Sequence, residues 1–302
     1  MPFLENVLRG RQIPRERMLE VAEHYYHFGG KSPINDQNRA LIAALRDKIA
    51  LPVYWGNRNW HPLLPEAIGR MRDDGIRRAL AFVTSAYSSY SGCRQYRENI
   101  EAARRQVGEG APEVDKLRAF YNHPGFIEPM VENAGAALAR MPEAEIVYTA
   151  HSIPLSMAKT SRYEAQLREA CRLVSAGLGR TDAELVFQSR SGAPGQPWLE
   201  PDVGDYIRKT DSKQLVIVPI GFISDHMEVL FDLDTEARQI CEERGVRMER
   251  VATVGTHPAF IAMIAELMAE RTEGVPRRAL GTFGPNHDAC PVDCCPALLK
   301  IQ

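Results

Sequence analysis

The stretch "VPIGFISDHMEVLFDLDTEA", residues 218–237, begins as a buried strand and turns acidic. An apolar run leads into Gly221, and six of the next sixteen residues are Asp, Glu or His. Apolar Val229, Leu230, Phe231 and Leu233 lie among them, so one face of this segment is expected to be buried. Glu228, Asp232 and Glu236 follow the i, i+4, i+8 spacing that makes a ladder along one helix face. At ~100° per residue each step drifts by ~40°. A locally wider turn would straighten the row, and such turns gather at functional sites. Three aligned carboxylates repel one another. On an exposed face water absorbs that repulsion; in a cleft one of them must hold a proton or a cation. Because the helix directly follows an apolar strand, its first turn is placed at the carboxyl edge of a sheet, where α/β proteins bind ligands.

Outward from this stretch, strand and helix patterns alternate. Strands are predicted at 51–56, 77–87, 116–122, 144–152, 183–190, 214–222 and 247–254. Helices are predicted at 15–28, 37–49, 61–75, 96–107, 124–141, 163–179 and 258–271, with a short one at 205–210. This alternation implies an α/β protein with parallel sheets. The strand "EIVYTA" delivers His151 to a carboxyl edge, and Pro154 breaks the chain just beyond. A single histidine is commonly a structural hydrogen-bonder; here it shares its topological position with the carboxylate row, and an imidazole facing a carboxylate suits proton removal and cation handling. The G-x-S-x-G elbow and the two glycine-rich nucleotide fingerprints are absent, which argues against nucleophilic serine catalysis and gives nucleotide binding no motif. "HPGFIEPMVE" (123–132) and "HPAFIAMIAE" (257–266) share five of ten positions. They are read either as two similar halves or as two good helix starts.

The bulk properties fit this picture. The chain has 302 residues, enough for roughly two domains. A formal net charge of −2 gives no sign of a nucleic-acid or membrane surface. No apolar run approaches the ~18–20 residues that cross a bilayer, and a signal-peptide core is missing, so a cytoplasmic location is expected. Three of the six cysteines, Cys290, Cys294 and Cys295, cluster in "CPVDCCP", which in a reducing compartment suggests metal or iron–sulfur ligation. Cys171 and Cys241 fall on helices and read as small buried hydrophobes.

"TAHSIP" together with the opening stretch resembles ferrochelatase, the enzyme that inserts Fe²⁺ into a porphyrin in haem synthesis. "LENVLRGR", "YYHFGGKSPIN", "YWGNRNWHP", "TSAYSSYSGCRQYRENI", "QSRSG" and "PWLEPDV" extend the likeness almost end to end, most closely to the actinobacterial branch. The resemblance implies two Rossmann-like domains with a ligand cleft between them. Residues 1–122 with a returning 257–302 would form the first, and 123–256 the second. His151 and Glu228 would face each other across the macrocycle and divide proton removal and metal handling, in either order. Asp232 and Glu236 would relay protons or metal. Tyr25, Ser32, Arg58, Ser88, Ser89 and Tyr90 would line the porphyrin side and anchor propionates. Coproporphyrin III is favoured over protoporphyrin IX. Transient contact with neighbouring haem-pathway enzymes is expected. A tetrapyrrole or metal carrier without turnover, and a cobalt or nickel chelatase of similar architecture, are the rival readings.

Some ferrochelatases carry a [2Fe-2S] cluster held by one internal cysteine and three near the C-terminus. The resemblance assigns these roles to Cys93, Cys290, Cys294 and Cys295. Adjacent ligands at 294 and 295 are geometrically awkward, and Zn²⁺ is the alternative. Relatives also begin with a strand and a Gly-containing loop, whereas this chain opens with the helical-looking "PFLENVLRG". Either the family's first strand is missing from this protein or it lies upstream of this sequence.

Overall fold

A computed structural model describes residues 25–26, 29–181, 184–191 and 195–297. The expected opening helix at 15–28, and the question of a first strand, lie outside the described residues apart from Tyr25 and Tyr26, which are helical. Two parallel sheets are present among the described residues. One pairs β1 (Arg78–Ala81) with β2 (Glu113–Lys116). The other has the order β4-β3-β5-β6, built from β3 (Glu145–His151), β4 (Glu184–Gln188), β5 (Gln214–Val218) and β6 (Arg247–Arg250).

Strands β3, β4 and β5 are buried on both faces and are apolar at nearly every position, whereas the edge strand β6 reads "RMER" and is only partly buried. Ile146, Tyr148, Leu185, Phe187, Val216 and Val218 point into one core, and Val147, Val186, Leu215 and Ile217 into the other. The first core is closed by α4 (Pro124–Arg140), α6 (Tyr163–Gly177) and α10 (Pro258–Thr272), and runs without a break into Tyr87, Leu117, Phe120 and Tyr121 beside the smaller sheet. The second is closed by α7 (Val203–Lys209), α8 (Met227–Phe231) and α9 (Arg238–Glu243), with a π-helical turn at Asp232–Ala237 between the last two.

This wrapping fixes the position of the site. From β3 the chain leaves through α5 (Leu155–Lys159) and α6 on one face to reach β4; from β5 it leaves through α8 and α9 on the opposite face to reach β6. The crossovers diverge between neighbouring strands β3 and β5, which opens a crevice at their carboxyl ends. Gly221 lets the chain leaving β5 press against β3: a Cβ there would stand 2.6 Å from the Ala150 Cα, and its N–H donates to the Thr149 carbonyl at 3.0 Å.

Of the remaining helices, α1 (Ile34–Arg46), α2 (Leu64–Asp73) and α3 (Gln95–Val107) match their predicted patterns to within three residues at each end. Two predicted strands are corrected. Residues 51–56 are extended but join no ladder; beyond them Asn57 makes one isolated bridge to Leu63. The second strand of the small sheet is Glu113–Lys116, not 116–122. Residues 117–121, apolar apart from Arg118, which pairs with Glu270, are buried without laddering and held by single bonds such as Phe120 N–H to the Ala86 carbonyl. Apolarity there reports burial, not strand pairing.

The matched His-Pro stretches become the starts of α4 and α10, each capped by its histidine: His123 Nδ1 accepts from Gly125 N–H at 3.0 Å and His257 Nδ1 from Ala259 N–H at 3.2 Å. Each histidine also faces the glutamate that closes the other stretch, His123 Nε2 to Glu266 at 3.4 Å and His257 Nε2 to Glu132 at 3.1 Å. The helix-start reading of the repeat holds: the two stretches are His-capped helix starts on helices that pack on each other. The first pair is no ion pair, because burial and the neighbouring Arg118 hold the His123 pKa down to about 3.

Candidate active site

His151 ends β3, and Glu228 sits in the first turn of α8 after β5. Across the crevice His151 Nε2 stands 4.0 Å from Glu228 Oε2, and both side chains stay open to solvent, 34% and 49% exposed. His151 Nδ1 contacts the Ser152 carbonyl, which can only accept, so Nδ1 carries the hydrogen and Nε2 offers its lone pair toward Glu228. The backbone around the imidazole is tied from behind: the buried Tyr163 hydroxyl donates to the His151 carbonyl at 2.9 Å, and Ser152 Oγ donates to the Leu199 carbonyl at 2.9 Å. An imidazole lone pair facing a carboxylate is a pair of bases that binds a proton or a cation between them.

Glu228 is positioned by His226, which sequence reasoning passed over. Its Nδ1 accepts from Glu228 N–H at 3.3 Å and caps α8, while its ring packs edge-on against Phe222. Burial holds the His226 pKa below the ordinary histidine value, which suits an acceptor cap.

Asp232 opens the π-helical turn, where the wider turn expected from the acid spacing occurs. Its carboxyl is largely enclosed; burial, with Glu228 and Glu236 adding repulsion, pushes its pKa up to about 7. The outer two carboxylates of the row are exposed, and only the middle one, Asp232, is enclosed, with its pKa raised to about 7. Two residues of the "QSRSG" stretch hold Asp232. Gln188 Nε2 donates to Asp232 Oδ2 at 3.2 Å and to the Glu228 carbonyl at 3.1 Å, and Ser189 Oγ donates to the same Oδ2. Ser189 does so from a left-handed backbone, φ 62°, an uncommon conformation for a non-glycine residue.

Among the anchors named from sequence, Tyr25 lies beside Glu228; burial first and that carboxylate second push its pKa up to about 12. Ser32 Oγ accepts from Ile34 N–H at the start of α1. Arg58 donates to Asn99 Oδ1 at 2.8 Å and lies over the Tyr96 ring. Tyr90 donates to Glu98 at 3.0 Å. Ser88 and Ser89 are buried and engaged: Gln166 Nε2 donates to Ser88 Oγ, and Ser89 Oγ accepts from Gly92 N–H. They shape the wall of the loop that leads to Cys93.

The cysteines gather at the far end of that loop. The Cys93 thiol donates to Cys290, which lowers the Cys290 pKa, with Arg97 and Lys116 nearby adding to the effect. Cys294 Sγ lies 3.7 Å from Cys295 Sγ, an approach made by Cys295's left-handed backbone, φ 50°. That turn brings the two consecutive thiols together. His287 Nε2 also stands 3.7 Å from Cys294 Sγ. The buried Arg97 Nε has no hydrogen-bond partner. A thiol-rich set under cationic side chains, with an orphaned N–H donor beside it, fits an anionic metal–sulfur centre. Cys171 and Cys241 are buried in the two cores, as read from their helices.

The ferrochelatase family model matches residues 1–272. This chain belongs to the ferrochelatase family. It is 58% identical over 309 residues to the ferrochelatase of Rhodopirellula baltica, covering 98% of this chain and 88% of that protein. It is 50% identical to the coproporphyrin III ferrochelatase of Frankia alni, covering 98% and 82%. Among solved structures it resembles the sirohydrochlorin chelatase of Bacillus subtilis subspecies spizizenii in complex with cobalt, with a TM-score of 0.57 at 11% identity, covering 80% of this chain and 89% of that one. That likeness shows the chelatase fold. The ferrochelatase is accordingly a metal chelatase, and its family reaction puts iron into a porphyrin. Among the described residues no helix is long and apolar enough to cross a membrane.

Proposed function

We propose that this ferrochelatase inserts Fe²⁺ into coproporphyrin III at the crevice between His151 and Glu228, as a step of haem synthesis in the cytoplasm. The observation that carries the reading is the 4.0 Å approach of His151 Nε2 to Glu228 Oε2 at the divergence of β3 and β5. The substrate is supported by the coproporphyrin III ferrochelatases among the relatives, at 45–50% identity over almost the whole chain. The cleft would lie between a domain of residues 1–122 with 257–302 and a domain of residues 123–256.

Insertion exchanges two pyrrole N–H protons for one Fe²⁺, so the porphyrin's charge balance is kept while two protons must leave. His151 Nε2 has the lone pair to accept one; Glu228 can take a proton or hold the metal as its water is stripped. Asp232, with a pKa near the working pH, can accept from Glu228 and pass to the exposed Glu236. A flat ring in contact on both faces needs about 7–8 Å between the flanking atoms. The 4.0 Å gap must therefore open on binding. Glu228, the more exposed partner, is the side chain free to swing. Tyr25, Ser32, Arg58 and Tyr90 supply hydroxyls and a guanidinium for propionates, with Ser88 and Ser89 supporting the same wall.

Cys93, Cys290, Cys294 and Cys295 would hold a [2Fe-2S] cluster, which when bound supplies a one-electron centre remote in sequence from the acid row. Transient docking to neighbouring haem-pathway enzymes would pass the porphyrin from one site to the next.

The test is anaerobic Soret spectroscopy with coproporphyrin III or protoporphyrin IX and Fe²⁺. Faster metallation of coproporphyrin III is expected. Equal or faster metallation of protoporphyrin IX would overturn the substrate assignment. Binding of either porphyrin without metallation would favour a carrier.

A further inference from the structure

The thiol site contains one ligating group more than a four-cysteine centre uses. His287 precedes Cys290 on the segment that brings three cysteines to Cys93, and its imidazole points into the group, not away from it. The donor atoms of His287, Cys290 and Cys294 all lie within 4.8 Å of one another. Four bonds of ~2.3 Å to sulfur around a tetrahedral metal place neighbouring sulfurs ~3.8 Å apart; with one imidazole at ~2.0–2.1 Å the S···N edge shortens to ~3.6 Å. Cys294 Sγ meets both conditions: 3.7 Å to Cys295 Sγ and 3.7 Å to His287 Nε2. The two contacts are compatible with one shared metal, and together they give Cys294 a competitor.

Burial sets the order of that competition. Cys93 and Cys295 are buried, Cys290 and Cys294 are half-exposed, and His287 is exposed. Cys93 and Cys295 form the enclosed side, with Arg97 Nε buried and unpartnered nearby. The solvent side is shared by Cys290, Cys294 and His287, and of these two thiols Cys294 is the one 3.7 Å from His287 Nε2. Carbonyl contacts keep that strand of chain in place: Arg94 Nη1 donates to the Cys294 carbonyl at 3.4 Å and Arg97 Nη1 to the Cys290 carbonyl at 3.3 Å.

We propose that His287 is a fifth metal-ligating residue of this site, able to replace Cys294 at its solvent-facing coordination position. The centre is then a His/Cys set with an exchangeable outer ligand. An imidazole in place of a thiolate removes one negative charge, and on an iron–sulfur centre such a change raises the reduction potential. Cys93, Cys290 and Cys295 are the fixed ligands. This inference rests on the reading that the thiols hold metal.

The experiment uses the full chain, purified anaerobically, as wild type, C294S, H287A and the C294S/H287A double variant. Iron, acid-labile sulfide and zinc are measured per chain. The reduced proteins are examined by electron paramagnetic resonance with pulsed detection of nitrogen couplings. The expected result is that C294S keeps most of its metal and gains a strong coupling to a directly bound nitrogen, that H287A keeps its metal with no such coupling, and that the double variant loses its metal. If zinc is the occupant, the same four proteins loaded with Co²⁺ report the exchange as one thiolate-to-cobalt absorption lost in C294S with tetrahedral visible bands kept. Loss of metal from C294S as complete as from the double variant overturns the proposal, as does a metal-replete C294S without a nitrogen ligand. Wild-type protein with no bound metal overturns the metal reading and this proposal with it, and is distinguished by arising before any variant is made.

Discussion

Replacing Asp232 by Asn should stabilise the fold while it damages the reaction. The carboxyl sits in the π-helical turn with its pKa raised from 3.8 to about 7 by burial, and then by Glu228 and Glu236. An acid whose folded pKa lies above its unfolded value binds its proton more tightly when folded. Its contribution therefore favours the folded chain below about pH 4 and is withdrawn as pH rises through about 7. Above that, the ionised group opposes folding. A rise of roughly three units at about 1.4 kcal/mol each sets an upper limit of ~4 kcal/mol. Partial exposure to water reduces this to the order of 1–3 kcal/mol. Asparagine keeps the shape and an acceptor for Ser189 and Gln188 but has no proton to lose.

Differential scanning calorimetry of wild type and D232N at pH 5 and pH 8 measures this. At ~2–4 °C per kcal/mol for a chain of this size class, D232N should melt several degrees above wild type at pH 8, with the gap closing toward pH 5. Iron insertion should fall at both pH values, because the amide cannot accept a proton from Glu228. A constant melting gap across pH 5–8, or a D232N protein less stable than wild type at pH 8, would refute the account of Asp232 as a confined, proton-holding carboxyl.

Ser189→Gly deletes the hydroxyl that lowers the Asp232 pKa while tolerating the left-handed backbone. A hydrogen bond to a charged group is worth ~1.5–3 kcal/mol, so the acid limb of the kcat–pH profile should move up by roughly one to two units; an unmoved limb removes Ser189 from the relay. His151→Ala should abolish insertion with the melting temperature kept, and turnover surviving this change would take His151 out of the mechanism. Gly221→Ala drives a Cβ to 2.6 Å from Ala150 and should destabilise by at least ~1–3 kcal/mol, whereas Gly69→Ala, inside α2 with open space around it, should stabilise by ~0.5–1 kcal/mol. Chemical denaturation of both variants checks the contrast, and a tolerated Gly221→Ala would mean that β5 does not need its close approach to β3.

Three strands of the large sheet were readable because burial on both faces left β3, β4 and β5 almost continuously apolar; β6, "RMER", was placed by the apolar residues that follow it. The smaller sheet was not. β1 and β2 read "RALA" and "EVDK", four residues each, and the second holds one apolar side chain. Pairing there depends on the partner strand, which local sequence does not record. The wider turn in the acid row was legible from its spacing. The row's supporting residues were not: Gln188 and Ser189 act through a backbone conformation at φ 62° and through a neighbour forty-odd positions away. His226 was hidden by its flanking acids, and its capping role appears only once α8 is known to start there. His287 could have been found, since a histidine three residues before Cys290 has metal-ligand spacing.

Several residues that break local rules meet at one place beside the acid row. A serine in a left-handed conformation, a π-helical turn, a carboxyl with a pKa near 7 and a buried Gln188 Oε1 without a partner all meet around Asp232. Each is unfavourable alone, by amounts of order 1–3 kcal/mol for strained backbone or an unpaired buried polar atom. A stable fold would shed them one at a time unless they act together. Among the described residues they share one neighbour, Asp232, which stands in the row between Glu228 and Glu236, the route proposed above for the leaving protons. Relaxing any one of them should therefore increase stability and reduce turnover in the same protein, and D232N is the substitution in which both effects are large enough to be read side by side.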